Sequence, residues 1–400
     1  MHQHWLLIQR EPFRLFFPLG VLFGVIGTGH WLVYGVGWSG SYSGYYHASV
    51  QVKLYLGAFV GGFLMTAIPR FASAPHAGPK EVSGVLLGML LNFVFLIQKA
   101  WLLSDMAYAA WLVLLFSFIV RRFLNKGRAA NPPAEFVWIP VAFLHAATGI
   151  VMMALSQHDL LAPRFLGAGR VLVEQGFVLS LVLGIGGFLG PRLMGLHQLP
   201  TPAMMRKPQD FYKRRLAAHL LLGFFLLVSF LWEARPSLFL RAAVVTLELA
   251  CLGGVLAPPR VPGIFQRFLW FSFWSVLAGV WLAALFPAQR ATMLHFLFLG
   301  GFSLMTFLVS TMVVLSHSGH GDKLGRPLWI YWVIFIGIAA ALAVRVTASL
   351  APEHYFLHVG IASAIWILTG AAWLLFAAPY LGRVPSDGEW DSPEKCGREG

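Results

Sequence analysis

Charge is scarce in this sequence: Asp, Glu, Lys and Arg supply 11% of 400 residues against 58% hydrophobic residues, and mean hydropathy is +0.72. That scarcity excludes a soluble globular chain. Strict apolar/polar alternation over about ten residues is missing too, which removes a transmembrane β-barrel. Cysteine is almost absent, with Cys251 inside an apolar run and Cys396 in a polar tail, so neither a disulfide framework nor a thiolate metal site is expected. No cationic segment followed by a short apolar core and a small-residue cleavage site opens the chain, so no signal peptide is expected.

What the sequence has is a series of continuous apolar runs about 20 residues long, the length of a membrane-crossing helix. Twelve are placed near 15–36, 49–69, 83–103, 106–124, 136–155, 171–189, 216–233, 239–257, 266–286, 291–316, 328–349 and 356–378, with the fourth and sixth short. The expected fold is all-α: a twelve-helix transmembrane domain over 1–382 and a disordered tail over 383–400. Most of the 29 lysines and arginines fall at the N-terminus, in the even-numbered loops and in the tail. The formal charge of +13 therefore reports topology rather than nucleic-acid binding, and the positive-inside bias puts both termini in the cytoplasm, with lipid as the surrounding partner. The triplet GGF recurs at Gly61–Phe63, Gly186–Phe188 and Gly300–Phe302, in spans 2, 6 and 10, a period of four helices. Small residues are common at helix contacts, so chance recurrence is one reading; the other is three four-helix units around a pseudo-threefold axis.

The stretch from His295 to His320 organises the functional reading. Its first two histidines are 22 residues apart, about 33 Å along a helix, so His295 and His317 face opposite surfaces and no one metal can take both. His47 in span 2 and His295 in span 10 start helices of the same direction. Counted back from Arg70 and His317 they are 23 and 22 residues up, nearly level, whereas counted from the GGF triplets they differ by nine. Level histidines on two helices suit the clamping of one haem, and an interfacial histidine bonded to lipid or backbone is the plainer reading of each. His354 and His358, at i and i+4, suit a metal such as copper, or simply a solvated helix start. Lys53, Glu174 and Glu248 lie inside spans, where ionisable groups are costly and usually face a partner or a cavity; Arg345 lies nearer the outer end.

Two blocks carry a family resemblance. His47-Ala48 followed by Gly62-Phe63-Leu64-Met65-Thr66-Ala67-Ile68-Pro69 is similar to the HAHEM…GFLLTAVP pattern of the NnrS family, bacterial haem- and copper-containing membrane proteins linked to nitric oxide. His295, Met305-Thr306 and His317-Ser318-Gly319 are similar to its H…MT…HTG pattern, and Gly186-Gly187 with Pro191 is a weaker echo of a third. Ser49 stands where the family has its second histidine, Met312 where it often has arginine, and His320 replaces a basic residue. The resemblance implies an inner-membrane protein that binds haem, and also copper, and meets a small gaseous ligand such as nitric oxide in nitrosative stress or denitrification. No CxxCH occurs, so the haem is expected to be of b type, held by His47 and His295 with its propionates toward Arg345, Arg170 or Lys53. A similarity to the haem-copper oxidase core subunit is architectural only. Span 6 has no histidine and span 7 only His219, which disfavours an oxidase or nitric oxide reductase of that type; turnover through another metal site and the electron donor stay open. The alternative function is a secondary transporter, since twelve spans also suit that plan.

Overall fold

The computed structural model describes residues 2–124, 132–197 and 209–383. The tail expected to be disordered lies, from residue 384 on, outside them. Among the described residues the chain is all-α. A short helix, α1 (His2–Arg10), precedes α2 (Phe13–Gly35), α3 (Gly44–Phe71), α4 (Pro79–Ile97), α5 (Trp101–Phe123), α6 (Ala134–Gln157), α7 (Arg164–Leu193) and α8 (Gln209–Leu231). There follow α9 (Arg235–Thr246, continued by a wide turn over Leu247–Leu252), α10 (Ile264–Leu285), α11 (Pro287–His317), α12 (Trp329–Thr347) and α13 (Pro352–Leu381).

Eleven of these are long and apolar enough to cross a membrane. The eighth expected crossing, α9, differs because Arg235, Arg241 and Glu248 interrupt its apolar face. It still runs the length of its neighbour: Arg215 near the start of α8 reaches the carbonyl of Leu252 at the end of α9 (2.8 Å), and Arg241 reaches the carbonyl of Ser229 near the end of α8 (3.0 Å). Arg14 at the start of α2 reaches the carbonyls of Tyr380 and Leu381 at the end of α13 (3.1 and 2.8 Å). First and last spans therefore open and close at the same end, as an even number of crossings requires.

Burial follows the four-helix period. The second helix of each unit, α3, α7 and α11, buries 83%, 83% and 72% of its most apolar stretch; the third, α4, α8 and α12, buries only 33%, 28% and 33%. Three central helices are thus ringed by nine, with α4, α8 and α12 outermost. The GGF triplets sit on the central helices but not at one depth. Gly300–Phe302 falls within a widened stretch, Phe296–Ser303, whereas Gly61–Phe63 lies well below the widened stretch of α3, Val50–Leu56. Widened turns of this kind also interrupt α7, at Leu172–Gly176 and Val182–Gly186. Toward the basic-loop end the three central helices part around an apolar cavity of about 140 Å³, lined among others by Phe59, Phe63, Val182, Gly186, Met305 and Ser310.

Two boundaries differ from the sequence reading. The turn between the third and fourth spans lies at Gln98–Ala100, where Lys99 takes φ +57°, and not at the polar Ser104-Asp105. Those two residues are inside α5 because each has a buried partner: Ser104 donates to Asn92 (2.7 Å) and Asp105 accepts from Lys53. The sixth span is not short. At 30 residues α7 is among the longest helices, because Arg164 and Arg170 at its start are long enough to leave the apolar layer while the helix continues.

Candidate functional site

At the end of the bundle away from the basic loops, the chain brings together residues from five helices. His47 lies in the first turns of α3, where Ser43 caps the helix by accepting the N–H of Tyr46 (3.1 Å). Its Nδ1 lies 2.9 Å from the carbonyl of Gly27 on α2. That contact needs the two helices close, and Gly27 permits it: a Cβ there would stand 2.7 Å from Val50. Gln51, one turn on, holds the same interface by donating to the Gly24 carbonyl (2.9 Å) and Thr28 (2.8 Å). Trp31 meets the His47 ring edge-on at 5.6 Å and belongs to an aromatic group with Tyr34, Tyr42 and Phe356.

His295 is held in the same manner, its Nδ1 2.7 Å from the carbonyl of Ala291 one turn back on α11. A carbonyl can only accept, so in both rings Nδ1 carries the proton and the lone pair is on Nε2. In both helices the regular winding widens just below the histidine: from Val50 in α3 and from Phe296 in α11. Such turns recur at functional sites because they rotate side chains out of the regular register. Both rings are half-buried, and Arg345 is a near neighbour of each. The basic ends of the same two helices are tied level by Arg70 and His317 (3.5 Å), so the histidines 23 and 22 residues above them share a depth.

Arg345 of α12 is buried. Its Nη2 donates to the hydroxyl of Tyr355 (3.1 Å), while Nη1 is buried and meets no hydrogen-bond partner among the described residues. A buried guanidinium with a free edge calls for an anion. Lys53 and Arg170, the other cations expected here, are engaged: Lys53 pairs with Asp105 and approaches the Tyr45 hydroxyl (3.4 Å), and Arg170 pairs with Glu174 (2.6 Å) and lies over the Tyr45 ring. They form a second ionic group, on the α5 and α7 side of α3. Asp105 is not legible in the sequence as the partner of Lys53, because the polar pair Ser104-Asp105 reads as the end of a span; a lone acid in an apolar run is the only local signal.

The i,i+4 spacing of His354 and His358 does not become one helix face. His354 ends a short 3₁₀ turn with φ −112° and ψ 14°, and the α-helix begins at Tyr355, so His354 is exposed while His358 is half-buried, its Nδ1 without a hydrogen-bond partner among the described residues. Among the described residues no three His, Cys, Asp or Glu side chains gather into a group able to hold a metal ion. At the opposite end His317 is structural: its Nδ1 meets Glu11 (2.7 Å), and Arg14 donates to the His317 carbonyl (2.8 Å).

No curated protein matches this chain. The family described as NnrS protein matches over residues 8–384, from the end of α1 to just past the last helix, and therefore includes both histidine-bearing central helices. The chain belongs to the NnrS family.

Proposed function

We propose that this protein binds a b-type haem between His47 and His295, at the end of the bundle away from the basic loops, and serves the bacterial cell in its response to nitric oxide. The observation that carries the reading is the pair of matched imidazoles: each has Nδ1 fixed by a backbone carbonyl, at 2.9 and 2.7 Å, leaving Nε2 to ligate. The haem iron, if bound, would supply redox chemistry at this face. The chain's own residues orient two ligands, present apolar and aromatic walls, and offer the free Nη1 of Arg345 to a propionate. Lys53 and Arg170 help hold the adjoining surface through their ion pairs with Asp105 and Glu174. Copper is the second metal proposed, with His358, whose Nδ1 has no hydrogen-bond partner among the described residues, as its main ligand and His354, on a different face at the helix start, as the second. Family membership favours this reading over a secondary transporter. The protein is proposed to lie in the bacterial inner membrane with both termini in the cytoplasm.

The test is a reduced-minus-oxidised spectrum of purified protein. His47→Ala and His295→Ala are each expected to lose haem or turn it high-spin, and His317→Ala, which removes contacts to Glu11 and Arg70 at the opposite end of the bundle, to keep the low-spin spectrum. Normal low-spin haem in either of the first two variants, still folded, defeats the assignment. Copper content undiminished in a His354→Ala/His358→Ala double variant removes the second metal.

A further inference from the structure

The basic-loop end of the second four-helix unit, α6 to α9, gathers cations that the haem reading does not use. Arg192 stands in the last turn of α7. Its Nη1 donates to the carbonyl of Phe188 one turn back and its guanidinium lies over the Phe188 ring at 3.8 Å, while its Nε is buried with no hydrogen-bond partner among the described residues. Neither a carbonyl nor a ring neutralises a charge. Beyond Arg192 the chain turns at Gly195, φ +72°, and is stitched to the loop that follows α9: Arg260 and Val261 both donate their N–H to the Met194 carbonyl (2.9 and 3.3 Å). Glycine is required for that approach, since a Cβ on Gly195 would stand 2.3 Å from Val261. The joined loops make His197 a near neighbour of Arg192, Arg215 and Arg260, with Glu135 the one carboxylate in the group.

That carboxylate is committed. Arg215 donates to Glu135 and to the Leu252 carbonyl, both at 2.8 Å. Arg260 is exposed, and its side chain makes no hydrogen bond or ion pair among the described residues. Nor does the local sequence offer another acid: residues 191–208 and 249–262 include no Asp or Glu. The first unit differs, because Arg122 at the same end is met by both oxygens of Glu81 (2.5 and 2.6 Å). Topology asks only that basic residues lie on this side of the membrane. It does not ask that the charge of a half-buried guanidinium be left unmet.

We propose that Arg192, Arg260 and His197 bind a phosphate group beside the Arg215–Glu135 pair, carried by a phospholipid of the surrounding leaflet or by a soluble molecule. The forked N–H groups of arginine match the oxygens of phosphate, and two unmet guanidiniums balance the charge of a phosphate monoester, about −2 at pH 7. Burial and the charges of Arg192 and Arg215 hold the His197 imidazole below its ordinary 6.5, so it meets the anion as a neutral group donating through one nitrogen.

The inference stands apart from haem binding, and its test needs no cofactor. Thermal unfolding of purified full-length protein is followed in inorganic phosphate and in sodium chloride at equal ionic strength, and retained lipid is counted by native mass spectrometry after release from nanodiscs of phosphatidylcholine and phosphatidylglycerol. A midpoint raised by phosphate identifies a soluble ligand; phosphatidylglycerol held on the protein in preference to phosphatidylcholine identifies a lipid. Whichever is seen should weaken about tenfold or more in Arg192→Gln and in Arg260→Gln, through the loss of a charged hydrogen bond. It should persist in Arg121→Gln, which removes an exposed cation at the same face of the first unit. Arg260→Gln breaks no side-chain contact among the described residues, so its folding is not at stake, and circular dichroism checks that of Arg192→Gln. Absence of both effects in the wild-type protein overturns the proposal, as does undiminished binding in Arg260→Gln or an equal loss in Arg121→Gln.

Discussion

Glu11 occupies the turn between α1 and α2 and gathers three basic partners from three helices: Arg14 (2.6 Å), Arg70 (3.1 Å) and His317 (2.7 Å). Burial by itself would raise its pKa, but the hydrogen bond and charge of His317 together with Arg14 outweigh burial and hold it at about 2, against an ordinary 4.5. A carboxylate with a depressed pKa stabilises the fold at every pH above its unfolded value, and that contribution drains away as pH falls from 4.5 through 2. The full contribution is about 3 kcal/mol. Thermal unfolding in detergent between pH 6 and pH 3 should therefore show a fall in midpoint that Glu11→Gln, already destabilised at pH 6, does not share. His317 was legible from sequence as an end-of-helix residue and its partner was not, because Glu11 lies 306 residues away and nothing local links them. Arg345 is similar. Its position near the outer end of a span could be read, whereas the free Nη1 depends on which side chains three other helices bring to it.

At the scale of single helices, Lys53 of α3 and Asp105 of α5 form the most deeply buried ion pair joining those two elements, with side-chain exposures of 2% and 3%. Breaking such a pair from one side strands a charge in an apolar setting at a cost of about 3–5 kcal/mol, while removing both partners costs much less. Lys53→Met and Asp105→Leu should each lower the unfolding midpoint sharply, and the double variant should recover most of the loss; a purely additive double variant would show that the pair is not coupled. The same interior pairing explains which boundaries the sequence could reveal. Long apolar runs marked the helices well. Ser104-Asp105 was read as a turn because two polar residues in a row usually are one, and the true turn at Lys99 lies among residues that look more like helix. A second test concerns α6 and α7, whose backbones meet at Gly149 and Gly169. A Cβ on either would stand 2.5 Å from the other's carbonyl oxygen. Gly149→Ala must push the helices apart, at a cost of about 1–3 kcal/mol, readable as a lower unfolding midpoint with helix content unchanged.

Across the whole molecule, three units of the same helix order carry different residues. The first and third carry the half-buried His47 and His295, and the second buries His145 and His219. The period of four was legible in the GGF triplets, but their unequal depth is a reminder that repeated glycines mark a packed helix rather than a common level. Since α2 begins and α13 ends at the same face, beside the basic loops, a fluorescent reporter fused after Gly400 should fold and fluoresce in the cytoplasm, and alkaline phosphatase placed in the turn between Val36 and Ser43 should be active outside it. The reverse pattern would invert the proposed orientation. The apolar cavity shared by α3, α7 and α11 carries a mechanical consequence as well. Apolar walls that face unfilled space forfeit dispersion contacts, so the three central helices are held to one another less tightly at this junction than elsewhere along their length, and hydrostatic pressure should loosen them there before the outer ring gives way.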